Sequence, residues 1–181
     1  MTIAAVPPML QHEGEFTQLL ELYRERRPRR VLEVGVGDGG SLYHWLHEAE
    51  AGTVVVAVDD RHTNLASYQD WTRINVALLT VTGDSHDPRT VEYVGRHGPY
   101  DWVFIDADHH EPAVRDDWRN YGAMVAAGGA VAFHDITPAR DATIEVDRLW
   151  GELRAELETV EFVQLTDACG IGVVLMPEGD A

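Results

Sequence analysis

Lysine is absent from this chain: all 14 basic residues are arginines. That absence excludes Schiff-base catalysis, covalent attachment of pyridoxal phosphate and the phosphate-binding lysine of a P-loop. Cysteine is nearly absent as well. Cys169 stands alone, so no intramolecular disulfide is available and a reducing cytoplasm is the expected compartment. Cys169 itself is expected to serve as a small apolar packing residue. Apolar runs are short. None approaches the ~20 residues of a membrane span, and the N-terminus shows no basic, apolar signal pattern. Positive charge is scarce, and the formal net charge of −17 argues against nucleic acid or an anionic membrane as partner. The arginines at 24, 26, 27, 29 and 30 are a local exception at the end of an expected helix, where cations complement the macrodipole.

What is present is a regular alternation of strand and helix signals. The 181 residues suit one domain, with residues 1–28 as an N-terminal helical segment and 29–181 as the core. An amphipathic helix is expected over His12–Arg27, closed before Pro28. Strands are expected at Arg30–Val34, Thr53–Val58, Val76–Val81, Tyr100–Ile105 and Gly129–Phe133. Helices are expected between them at Ser41–Glu50, Thr63–Thr72, Pro88–Gly95 and Pro112–Ala126, with a last one at Ala139–Leu157. This rhythm implies a parallel sheet covered on both faces, an α/β doubly wound fold. It ends differently. Val160–Leu165 and Gly170–Met176 are separated by four residues, too few for a crossover, and so should form an antiparallel hairpin.

The run Arg30-Val31-Leu32-Glu33-Val34-Gly35-Val36-Gly37-Asp38-Gly39 carries the most chemistry. An apolar strand ends in a glycine-rich turn, and a helix follows from Ser41, so its free N–H groups face any ligand in the crevice. Gly35, Gly37 and Gly40 satisfy the dinucleotide pattern G-x-G-x-x-G, which a ligand-free tight turn also satisfies. Glu33 sharpens the choice. A carboxylate two residues before the first glycine would repel a pyrophosphate but attract an ammonium group. Asp59 closes the second strand about 24 residues beyond Gly35, where an acid commonly binds ribose hydroxyls. Together they suit a ligand with a nucleoside at one end and an amino acid at the other.

Five segments in order resemble the class I S-adenosylmethionine (SAM)-dependent methyltransferase superfamily. They are Arg30 to Gly37, Val58-Asp59, Gly83-Asp84-Ser85, Tyr100 to Asp108 and Gly128 to Asp135; the closing Gly170 to Leu175 also fits. The fourth and fifth are similar to small metal-dependent O-methyltransferases of the catechol and caffeoyl-CoA kind, and to cephalosporin-hydroxylase and macrolide-sugar methyltransferase relatives. The resemblance implies a Rossmann-like sheet of five parallel strands plus the C-terminal antiparallel hairpin, in the order 3-2-1-4-5-7-6. It implies that Glu33 faces the methionine ammonium, Ser41 its carboxylate and Asp59 the ribose diol. Asp84 and Ser85 would meet the adenine edge, although Asp84 after Gly83 equally fits an Asx turn. Gly35, Gly37 and Gly39 would shape the cofactor turn, and Asp106 would border it.

The same resemblance makes Asp106 and Asp135 ligands of Mg²⁺, Mn²⁺ or another divalent ion, with His134 standing where the family has an acidic ligand. An imidazole suits Mn²⁺, Fe²⁺ or Zn²⁺ better than Mg²⁺; the bland alternative is an ordinary loop start after the fifth strand. His109 occupies the place of the family's lysine, three residues after Asp106, and is the candidate general base, with His110 second. Asp108 is expected to be a helix N-terminal charge, with a further metal ligand as the alternative. Asp116 and Asp117 are expected on a solvated helix face, and His86 as a surface or helix residue. The implied activity is methylation of a hydroxyl on a small molecule. A nucleoside-binding protein without methyl transfer, and an NAD-dependent oxidoreductase, stand as alternatives. So short a chain also points to a homodimer as one way to close an acceptor pocket.

Overall fold

A computed structural model of the chain describes residues 7–61, 65–138, 141–164 and 169–179. Seven strands form one sheet: β1 (Arg30–Val34), β2 (Val54–Asp59), β3 (Ala77–Thr82), β4 (Tyr100–Ile105), β5 (Val125–His134), β6 (Thr159–Phe162) and β7 (Ile171–Leu175). Their order is β3-β2-β1-β4-β5-β7-β6, parallel from β3 to β5 and antiparallel where β7 meets β5 and β6. This is the expected topology, hairpin included. β6 stops at Phe162, short of the expected Leu165, which lies outside the described residues.

Period-2 alternation sends side chains to both faces of the sheet. On one face Val31, Val55, Trp102 and Phe104 pack with Phe16, Leu19 and Tyr23 of α1 (Glu13–Arg26) and Leu42 and Trp45 of α2 (Gly40–Glu48). On the other, Leu32, Val56, Val103 and Phe133 pack with Val94 of α3 (Pro88–Gly95), Val114 of α4 (Glu111–Asp117), and Leu149 and Trp150 of α5 (Val146–Glu156). With both faces buried, the central strands read as continuous apolar runs.

Three expected helices come out shorter. Over 63–72 the described part is a 3₁₀ helix, Leu65–Trp71, with Thr63 outside the described residues. There the Tyr68 and Trp71 rings stack at 4.4 Å beside Gly39. Over 112–126, α4 ends at Asp117, a π-helical turn runs Trp118–Gly122, and β5 has begun by Val125. Sheet pairing overrides helix propensity here: the Tyr100 N–H donates to the Met124 carbonyl, drawing the segment into the sheet. The last helix begins at Val146 rather than Ala139, which lies outside the described residues. Before it, Asp141 accepts the Thr143 N–H and hydroxyl and holds a turn.

Candidate functional site

The C-terminal ends of β1, β2, β3, β4 and β5 surround one cavity of about 710 Å³, within the range of small-molecule sites, roughly 300–1,000 Å³. Its wall begins at the glycine turn. Gly35 has φ +87°, and a Cβ there would lie 2.2 Å from the Asp106 carbonyl, so this residue lets β1 and β4 turn away side by side. Gly37 and Ser41 line the cavity; Glu33 and Gly39 lie behind its wall.

Glu33 is fully buried, and its Oε1 accepts a short hydrogen bond from the Ser41 hydroxyl. Its Oε2 has no partner among the described residues. Burial pushes its carboxyl well above the usual range, with the charges of Asp106 and Asp59 adding to the effect and the Ser41 bond opposing it. Asp59 lines the cavity but also braces the turn: Oδ2 accepts the Val36 and Gly37 N–H groups at 2.8 and 2.9 Å, and Oδ1 that of Arg61. That bracing role was not visible in the sequence. Asp84 and Ser85 line the cavity after β3, and Asp84 also closes an Asx turn on the His86 N–H at 2.8 Å. The Asx turn and a place on the cavity wall are thus compatible for Asp84.

At the far end, four side chains from three segments converge: Asp106 just after β4, His109 in the following loop, His134 at the last position of β5, and Asp135. Their donor atoms all lie within 4.8 Å of one another. His109 Nε2 is 3.2 Å from Asp106 Oδ1 and 2.9 Å from Asp135 Oδ2, and His134 Nδ1 is 3.2 Å from each of the same two oxygens. Asp135 sits at φ +62°, a left-handed conformation that costs roughly 1 kcal/mol or more in a residue other than glycine. Hydrogen bonds to Asp106 and Asp135 raise His109 to about 9. Burial opposes charge on His134, but the two carboxylates outweigh it and push its pKa well up. The same histidines hold Asp106 and Asp135 below the usual carboxylate range despite their burial.

His110 also lines the cavity, apart from this cluster, with Nδ1 2.7 Å from Asp108 Oδ1. Asp108 additionally accepts the His110 N–H before α4 begins, consistent with its expected place at a helix start. The cavity wall holds residues the sequence did not single out. Gln11 is buried and donates from Nε2 to Asp106 Oδ2 at 2.6 Å. Cys169, expected as packing, lines the cavity on the side of His134 and Asp135. Asp117, expected on a solvated face, is fully buried: it lies three residues after the buried Val114 on the inner face of α4, 3.3 Å from His86 Nε2. His86, expected as a surface or helix residue, lines the cavity. No short-range spacing links any of these to the strand ends, so none could be found by pattern.

Residues 32–136, more than half of the chain, match the family model described as a methyltransferase domain. The chain belongs to that family, and its fold is that of the class I SAM-dependent methyltransferases. Among similar solved structures is the O-methyltransferase from Bacillus cereus in complex with S-adenosylhomocysteine (SAH), with TM-score 0.69, 19% identity, and 90% of this chain and 80% of that one covered. TomG from Streptomyces achromogenes, an O-methyltransferase of tomaymycin synthesis bound to SAM, has TM-score 0.69, 19% identity, and 91% and 79% covered. MycE of the mycinamycin pathway, in complex with Mg, SAH and mycinamycin VI, has TM-score 0.62 and 19% identity over 90% of this chain. The chain spans 49% of MycE's length. At these identities the likeness is one of fold. No curated protein matches the chain in sequence.

Proposed function

We propose that the protein transfers the methyl group of SAM to a hydroxyl of a small molecule. The observation that carries this reading is a single cavity running from the glycine turn to the Asp106–His109–His134–Asp135 cluster. In this reading Asp59, on the cavity wall at the end of β2, receives the ribose diol. By the same reading Asp106 supplies negative charge at the methionine end, and Ser41, backed by its hydrogen bond to the buried Glu33, supplies hydrogen bonding. In the reaction the methyl C–S bond breaks as a C–O bond forms, SAH departs as a neutral thioether, and the hydroxyl proton passes to a base. Such a transfer asks mainly for orientation and deprotonation, and among the imidazoles lining the cavity His109 and His110 are the candidate bases.

Asp106, Asp135 and His134 fit a divalent ion such as Mg²⁺ or Mn²⁺: they mix carboxylate and imidazole donors, and with His109 their ligand atoms all lie within 4.8 Å of one another. When bound, such an ion supplies Lewis acidity that lowers the acceptor hydroxyl's pKa.

Calorimetry tests the cofactor assignment. SAM and SAH should bind in the micromolar range, about −8 kcal/mol, and Asp59→Ala should weaken binding by ~1–3 kcal/mol. Binding of NADH but not SAM would overturn the reading. Mass spectrometry of products formed from SAM and an extract of the source cells would identify the acceptor, and full turnover in excess chelator would remove the metal from the mechanism.

A further inference from the structure

We propose that His109 is a ligand of this centre rather than its base, and that Asp106, His109, His134 and Asp135 together select a first-row transition-metal ion over Mg²⁺. The proposal rests on the metal centre inferred above but not on methyl transfer. Its first support is the ring the four donors form. Each histidine nitrogen approaches both carboxylate oxygens, and the four N···O separations span 2.9–3.2 Å. Bonds of about 2.1 Å to a common ion place neighbouring ligand atoms about 3.0 Å apart at right angles and about 3.4 Å apart in a tetrahedron. The observed N···O separations fall in or just below that range.

The orientation of Asp106 is the second support. Gln11 Nε2 takes Asp106 Oδ2 at 2.6 Å, which leaves Oδ1 as the oxygen facing both histidines. That partner behaves as an outer-shell group does around a ligating carboxylate, fixing which oxygen binds. The donor chemistry is the third. Two of the four donors are imidazoles, which suit Zn²⁺, Fe²⁺ and their neighbours, whereas Mg²⁺ prefers oxygen donors and retains water. His109 Nε2 is turned to the two carboxylates, and a lone pair that binds an ion there cannot also accept a proton. With His109 in the ligand set, the deprotonating role passes to His110, whose Nδ1 is held by Asp108 at 2.7 Å outside the cluster.

The test is metal titration of the chelator-stripped full chain with Co²⁺, Zn²⁺ and Mg²⁺, by calorimetry and by the visible absorption of the Co²⁺ form. Co²⁺ and Zn²⁺ should bind one per chain, and Mg²⁺ at least ~100-fold more weakly. His109→Ala and His109→Gln should each weaken Co²⁺ binding at least ~10-fold and alter its absorption bands, while His110→Ala leaves both unchanged. Circular dichroism of each variant checks that it is folded. Mg²⁺ binding as tightly as Co²⁺, or folded His109 variants with wild-type affinity and spectrum, would overturn this proposal and leave the metal centre standing. No binding of any of the three ions would overturn the centre as well, with SAM titration still judging the methyltransferase reading.

Discussion

Asp117 shows how much a single residue's setting changes its chemistry. Burial raises its carboxyl to about 6, with Asp108 and Asp84 adding to the rise and Ser85 and His86 opposing it. In the folded protein it therefore holds a proton that the unfolded chain has already released. The stability linked to that proton is fully present below the ordinary carboxylate pKa and is lost as pH rises through about 6. A rise of this size corresponds to something on the order of 2–3 kcal/mol. Asp117→Asn removes the titration, so the variant should gain on the wild type as pH increases. Urea unfolding at about pH 5 and about pH 8, either side of the transition, measures this directly. A stability difference that stays constant between the two would show that Asp117 does not titrate in the folded state.

At the scale of elements, two joints hold the parts that flank the cavity. α3 starts with Asp87, whose side chain accepts the Arg89 N–H at 2.9 Å, and Pro88 fills the first turn. Asp87→Ala should cost ~0.5–2 kcal/mol of stability in a denaturant titration, with SAM affinity little changed, since Asp87 is absent from the cavity wall. The second joint is β7 against α5. A Cβ on Gly172 would lie 2.5 Å from the Trp150 indole, so the strand passes directly beneath that ring. Gly172→Ala should therefore cost ~1–3 kcal/mol by overpacking, readable as a lowered thermal midpoint and a change in tryptophan fluorescence. Wild-type stability would mean that α5 can move away from the sheet at no cost.

At the scale of the molecule, charge decides how the cavity meets its cofactor. The chain carries a formal net charge of −17, and Glu33, Asp59, Asp84, Asp106 and Asp135 cluster at the strand ends. SAM carries one net positive charge through its sulfonium, and SAH carries none. Raising salt screens the attraction, so SAM affinity should fall with ionic strength more steeply than SAH affinity. Parallel calorimetric titrations at low and high salt compare the two. Equal slopes would mean that the acidic cavity does not contribute to cofactor binding through long-range charge.

The strand and helix alternation, the glycine turn after β1 and the terminal hairpin are legible in the sequence, because each is a local matter of periodicity, backbone freedom and connection length. The placing of Asp59, Asp84, Asp106 and Asp135 at strand ends follows from that alternation, whereas the sheet order came from the resemblance to the methyltransferase superfamily. Where the reading missed, tertiary contacts had won: the Tyr100 N–H pulled residues around Met124 into the sheet, and the face of α4 that packs inward carries Asp117 along with Val114. Only the tertiary structure decided what touches what. His134 stands 28 residues from Asp106, and their contact exists because β5 pairs in parallel with β4, bringing the ends of both strands to the same edge. Gln11 reaches Asp106 across 95 residues, a contact made by folding the N-terminal segment over the sheet's C-terminal edge. Hydrophobic pattern specifies which face a residue occupies but not the angle of its carboxylate, and that angle comes from packing.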